Sequence, residues 1–126
     1  MTRWLVDAMN VIGSRPDKWW NDPKKAMREM AGLLDDFAGT TGDDLTVVFD
    51  TDPGPLDDVD HIEVVIARRK GRNAADYEIE QIVAADEDPG SLRVVTSDKR
   101  LVEKVSELGA KVTGSGRFRT QLDRTA

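Results

Sequence analysis

LTVVFD, residues 45–50, is apolar at alternate and intervening positions alike, apart from one threonine, until it closes on a carboxylate. A strand with one wet face alternates apolar and polar residues. A near-continuous apolar run instead reads as a strand covered on both faces. Working outward, the pattern recurs on either side. RWLVD, residues 3–7, is a second such run and ends on Asp7; LRVVTSD, residues 92–98, is a third and ends on Asp98. HIEVVIA, 61–67, and the short AKVTG, 110–114, read as further strands.

Helical periodicity fills most of the intervals. Over residues 24–38, Met27, Met30, Ala31, Leu34, Phe37 and Ala38 share one face, with Asp22 as cap, Pro23 at the first position and Gly39 as the expected stop. Asn73 is placed to cap a helix over 74–85 that buries Ala75, Ile79, Ile82 and Val83. A third helix, 99–108, turns Leu101, Val102, Val105 and Leu108 inward and stops at Gly109. The tail RFRTQLDRTA reads as irregular or partly helical. Buried strands alternating with helices predict an α/β fold with a mostly parallel sheet between helical layers. The expected strand order is 3-2-1-4-5. The weak joint is the stretch 51–60, short for a parallel crossover. It either holds a helical turn or strand three pairs differently. Residues 1–120 are expected to form one domain, followed by a tail at 121–126.

The chain has 126 residues and no cysteine, which excludes disulfides, zinc thiolate sites and thiol catalysis. No apolar stretch spans a bilayer and no signal-peptide pattern opens the chain, so the expected address is cytoplasmic. Eighteen Lys and Arg stand against 24 Asp and Glu, a net charge of −6. That balance hides a local basic run, ARRKGR at 67–72.

Asp7, Asp50 and Asp98 each end a strand. Parallel strands bring such ends to one edge, where open α/β sheets bind ligands. With the first strand between the second and fourth, neighbouring strands lie about 4.8 Å apart and the carboxylates converge. Three converging carboxylates need a counter-charge, and an oxygen-only set suits Mg²⁺ or Mn²⁺. Asp76, in the first turn of the second helix, adds a fourth acid, and Asn10 lies one turn past Asp7. Each has a plainer reading. Asp7 and Asn10 suit a turn, Asp76 complements a helix dipole, and Asp98 suits a cap. Glu80 reads as a surface charge, and His61 has no partner in sequence.

The segments VDAMNVIG, VVFD, NAADYEIE and VVTSD, in this order and spacing, resemble the YacP-like branch of the NYN domains, within the PIN-like ribonuclease group. The resemblance extends to about residue 120. Ala8 stands where the family usually has glycine, and Tyr77 where a second acid often follows Asp76. The resemblance implies a three-layer α/β/α PIN-like fold and Mg²⁺- or Mn²⁺-dependent, endonucleolytic hydrolysis of single-stranded RNA. It implies metal binding by Asp7, Asp76 and Asp98, support from Asn10 and assistance from Asp50. RNA, free or ribosome-associated, is the expected partner.

On the substrate side, Arg68, Arg69, Lys70 and Arg72 are the expected phosphate contacts. Arg15 and Trp19 follow the first strand, and Trp19 or Trp20 could stack on bases or pack as a lid. GSGRFR, 114–119, offers an anion nest beside Arg117 and Arg119, or a plain tight turn. Two other functions compete with the nuclease. One is a receiver-like phosphoacceptor domain; the other is an RNA- or ribosome-docking module without chemistry.

Overall fold

In the computed structural model, residues 1–125 are described. Five parallel strands form one sheet: β1 (Arg3–Asp7), β2 (Asp44–Phe49), β3 (Glu63–Ile66), β4 (Leu92–Val95) and β5 (Lys111–Thr113). Their order is β3-β2-β1-β4-β5, as the sequence predicts. Receiver-type sheets run 2-1-3-4-5, so the observed order sets this chain apart from them. The helices are α1 (Ala8–Gly13), α2 (Pro23–Thr41), α3 (Ala74–Ala85), α4 (Lys99–Glu107) and α5 (Ser115–Thr125).

Alternation along the strands splits the core into two layers. Trp4, Val6, Val47, Phe49 and Val95 pack in one cluster with residues of α1, α2 and α5. Leu5, Val48 and Val94 face the other way, onto Ala75, Ile79 and Val83 of α3 and Leu101 and Val105 of α4. Every central strand is therefore buried on both sides, which is why its sequence reads as a continuous apolar run.

The structure departs from the sequence reading at several places. The connection from β2 to β3 holds no helical turn, and β3 is nevertheless parallel to β2. The flanking strands stop at Phe49 and start at Glu63, so residues 50–62 are available, about the dozen a crossover needs. This loop lies across α2. The buried carboxylate of Asp35 accepts from the backbone N–H groups of Asp60 (2.9 Å) and His61 (2.6 Å), and Arg28 donates to the Pro53 carbonyl at 2.9 Å. Gly39 does not stop α2. The helix runs on to Thr41 and ends at Gly42, whose φ of +74° suits the left-handed cap. Gly39 instead leaves room for the His61 ring, because a Cβ there would lie 2.9 Å from His61 Cδ2. Asp35→Ala should therefore lower stability by about 3 kcal/mol, since it strands two backbone donors. Urea unfolding measures this, and a loss below about 0.5 kcal/mol would show that the loop is not anchored there.

The C-terminal stretch, expected to be irregular or partly helical, is helical throughout Ser115–Thr125. Phe118 and Leu122, one turn apart, are buried, and Phe118 closes an aromatic triangle with Trp4 (5.1 Å between centroids) and Phe37 (5.5 Å). Residues 121–125 thus continue α5; Ala126 lies outside the described residues. GSGRFR is neither nest nor simple turn, because α5 starts at Ser115 and Arg119 donates to the Ser14 carbonyl. No helix among the described residues is long and apolar enough to cross a membrane.

Candidate active site

β1 lies between β2 and β4, so the three strand-end aspartates share one edge. Asp7 pairs in register with Val48, two residues before Asp50; Val6 pairs with Val95, three before Asp98. α3 packs on the same sheet and brings Asp76 in its first turn. Asp7, Asn10, Asp50, Asp76 and Asp98 line one cleft of about 240 Å³, with Met9 and the backbone from Asn73 to Ala75 completing its wall.

Asp7 is only 4 % exposed. It occupies the cap position of α1, where the Asn10 backbone N–H approaches its carboxylate, so the turn reading accounts for part of its surroundings but not for its burial. Its Oδ2 accepts from the hydroxyl of fully buried Thr96 at 3.1 Å. Burial pushes the Asp7 carboxyl up to about 7; the neighbouring charges of Asp76 and Asp98 add to this, against hydrogen bonds from Thr96 and the Asn10 backbone. Asp76 is also raised, first by burial and then by the Asp98 charge, with Arg100 opposing. Asp98 does cap α4, through Oδ1 to the Leu101 N–H at 2.9 Å. One carboxylate thus both caps a helix and lines the cleft.

The amide of Asn10 has a fixed orientation. Its Oδ1 accepts from the Ser97 N–H at 2.9 Å and from the Ser115 hydroxyl. A backbone N–H can only donate, so the atom facing it is the oxygen. Nδ2 is left as the group able to donate into the cleft. Thr96 and Ser115, which hold Asp7 and Asn10, are absent from the sequence-based candidates, although Thr96 opens the quoted T-S-D.

The family model for the YacP-like NYN domain matches residues 4–126. The chain belongs to the YacP-like NYN domain family. Two crystal structures of Rae1 (YacP) from Bacillus subtilis share its fold. One is 21 % identical with a TM-score of 0.80, covering 99 % of this chain and 75 % of that one. The other, of a single-substitution variant, is 24 % identical with a TM-score of 0.79, covering 99 % and 77 %. No curated protein matches the chain. This NYN domain therefore has the PIN-like nuclease fold.

The basic candidates part company around this NYN site. Arg69, Lys70 and Arg72 line a separate cavity next to the acidic cleft. Arg68 is held elsewhere: its backbone N–H, Nε and Nη2 donate to buried Glu78 at 3.1–3.3 Å, which keeps the Glu78 carboxyl below its ordinary range. Arg15 pairs with Asp17 and Asp123, and Trp19 packs against the core; both line cavities that share no residue with the cleft. Trp20 is 59 % exposed. Asn73 stands at the start of α3 in the left-handed region, φ +64°, and its side chain makes no capping bond. Arg68→Ala should lower stability by about 1 kcal/mol, a small effect because the guanidinium is exposed. It should change RNA affinity less than Arg72→Ala does. Urea titration and RNA-binding isotherms check both, and the reverse ranking would return Arg68 to the substrate.

Proposed function

We propose that this NYN domain is an Mg²⁺- or Mn²⁺-dependent ribonuclease that hydrolyses internal phosphodiester bonds of single-stranded RNA in the cytoplasm. The observation that carries the reading is the buried Asp7 carboxyl, forced upward by burial and by the charges of Asp76 and Asp98 around it in the cleft. Such a cluster is relieved either by a proton or by a cation, and only a cation leaves all three carboxylates ionised. Family membership supports the same reading.

The donor set fits a hard divalent ion, because every charged side chain lining the cleft is a carboxylate. Among the described residues, no group of three or more His, Cys, Asp or Glu is arranged to hold a metal by itself. Mg²⁺ characteristically takes one or two carboxylates and fills its shell with water and phosphate oxygens. Asp7 with Asp76 or Asp98 meets that need. When bound, the ion lowers the pKa of a coordinated water and offsets phosphate charge. The chain's own residues do the rest. Thr96 fixes Asp7 Oδ2. Asn10 Nδ2 can donate to a phosphate oxygen, its orientation held by Ser97 and Ser115. Asp50, at the end of β2, can take up a proton from the attacking water.

Cleavage of a labelled single-stranded RNA, with Mn²⁺ and with EDTA, tests the proposal. Cleavage should require the metal. No cleavage under either condition, with no heat of Mn²⁺ binding by calorimetry, would favour the docking-module reading.

A further inference from the structure

Beside the acidic cleft lies a second cavity of about 280 Å³, with opposite charge. Arg69, Lys70 and Arg72 reach it from the loop after β3, and Arg100 reaches it from the first turn of α4. The convergence is therefore built by the fold and not by the basic run alone. Among the described residues, none of these four cations is in an ion pair. Glu80 is the one acid in the lining. Arg69 lies over the face of Tyr77, its guanidinium carbon 3.7 Å from the ring centroid. A guanidinium stacked in this way keeps its edge N–H donors free and loses little further entropy when it binds a planar or tetrahedral oxyanion. Arg68, the remaining arginine of the run, is committed to Glu78. Asn73 and Ala74 line both cavities, so only the start of α3 separates them.

The geometry points to a second phosphate subsite: this cavity takes the RNA phosphate next to the one that lies in the acidic cleft. The inference rests on the ribonuclease reading for which linkage is cut, but not for the binding itself. Unpaired cations gathered in one cavity are a poor arrangement without an anion, just as the neighbouring carboxylates are without a cation. Side by side they divide the work. The acidic cleft handles the scissile group through a metal, and the basic cavity supplies the electrostatic hold that a chain of net charge −6 otherwise lacks. The ligand is a phosphate oxyanion, which RNA offers either as an internal diester or as a terminal monoester.

The test is equilibrium binding of a 3′-labelled single-stranded RNA to the full chain in EDTA, followed across salt concentration. Arg72 and Arg100 are exposed, so Arg72→Ala/Arg100→Ala should fold as the parent does. Affinity should fall at least tenfold at low salt, and the slope of log K against log salt should drop by about 0.7, the signature of one single-strand phosphate. Tyr77→Leu, which frees Arg69, should weaken binding about threefold. RNA with a 5′-phosphate and RNA with a 5′-hydroxyl give the two arms. A preference for the phosphate that vanishes in the double variant assigns the terminal monoester; equal affinity assigns the internal diester. Affinity within twofold of the parent would overturn the subsite. So would a slope change of about 1.4, which means two separate contacts on an open groove. Binding as expected, without Mn²⁺-dependent cleavage, would keep the subsite and sink the ribonuclease.

Discussion

Asp98→Asn should slow Mn²⁺-dependent RNA cleavage about 10³-fold, a loss of roughly 4 kcal/mol in transition-state stabilisation. The substitution separates the two tasks that Asp98 performs. Asparagine is as good a helix cap as aspartate, so its Oδ1 can still accept from the Leu101 N–H and α4 should stay in place. Only the charge offered to the cleft is lost. RNA affinity in EDTA should hold or rise slightly, because one repelling carboxylate has gone. Single-turnover cleavage at saturating protein reads the chemical step free of binding. A rate within threefold of the parent would remove Asp98 from the metal site and leave it as a cap. Thr96→Val is a useful companion. It keeps the shape of a fully buried side chain but withdraws the hydroxyl that Asp7 Oδ2 accepts from and that the Asp98 N–H donates to. A loss of about 10- to 100-fold is expected, typical of groups that orient a ligand without touching the ion.

Much of this site could be read from sequence because its acids sit where strand periodicity ends. RWLVD, LTVVFD and LRVVTSD announce doubly buried strands, and parallel strands must place their last residues on one edge. The order 3-2-1-4-5 then makes Asp7 the middle of the group. What escaped was set by shorter signals or by contacts between distant segments. Ala8, Val11 and Ile12 have helical spacing, but α1 is six residues long, too short for periodicity to distinguish from a turn. Gly39 resembled a stop because the pattern of α2 cannot reveal that His61 packs on it. Arg100 lies outside any basic run, and only the juxtaposition of α4 with the loop after β3 puts it beside Arg69 and Arg72. Asn73 resembled a cap, yet it stands in the left-handed region and its side chain makes no capping bond. Within the run ARRKGR, Arg68 is set apart from Arg69, Lys70 and Arg72, since buried Glu78 holds it through three hydrogen bonds that no spacing rule anticipates.

The stability of the metal-free protein should fall by about 3 kcal/mol between pH 5 and pH 8, and Asp7→Asn should abolish most of that fall. The Asp7 carboxyl is raised from its ordinary 3.8 to about 7 when folded, first by burial and then by Asp76. At pH 5 the unfolded chain has already lost this proton while the folded chain keeps it. Each unit of pH above that point favours unfolding by about 1.36 kcal/mol, until the folded group ionises too. The contribution is thus fully unfavourable only above pH 7 and absent below the unfolded value near 4. Groups away from the cleft contribute alike in parent and variant, so the difference between the two curves isolates Asp7 and the carboxylates coupled to it. Urea titrations at pH 5, 6, 7 and 8 in EDTA give those curves, and parallel curves would refute the forced carboxyl. At pH 8 the variant should be the more stable protein, because its amide can still accept from the Thr96 hydroxyl with no charge to bury. Added Mg²⁺ should reverse that ranking. On the proposed metal-dependent reading, the ion would stabilise the parent by binding ionised Asp7 and would have no such partner in the variant. On that reading the site destabilises its own fold until a cation arrives, which selection for chemistry would leave and selection for stability alone would remove.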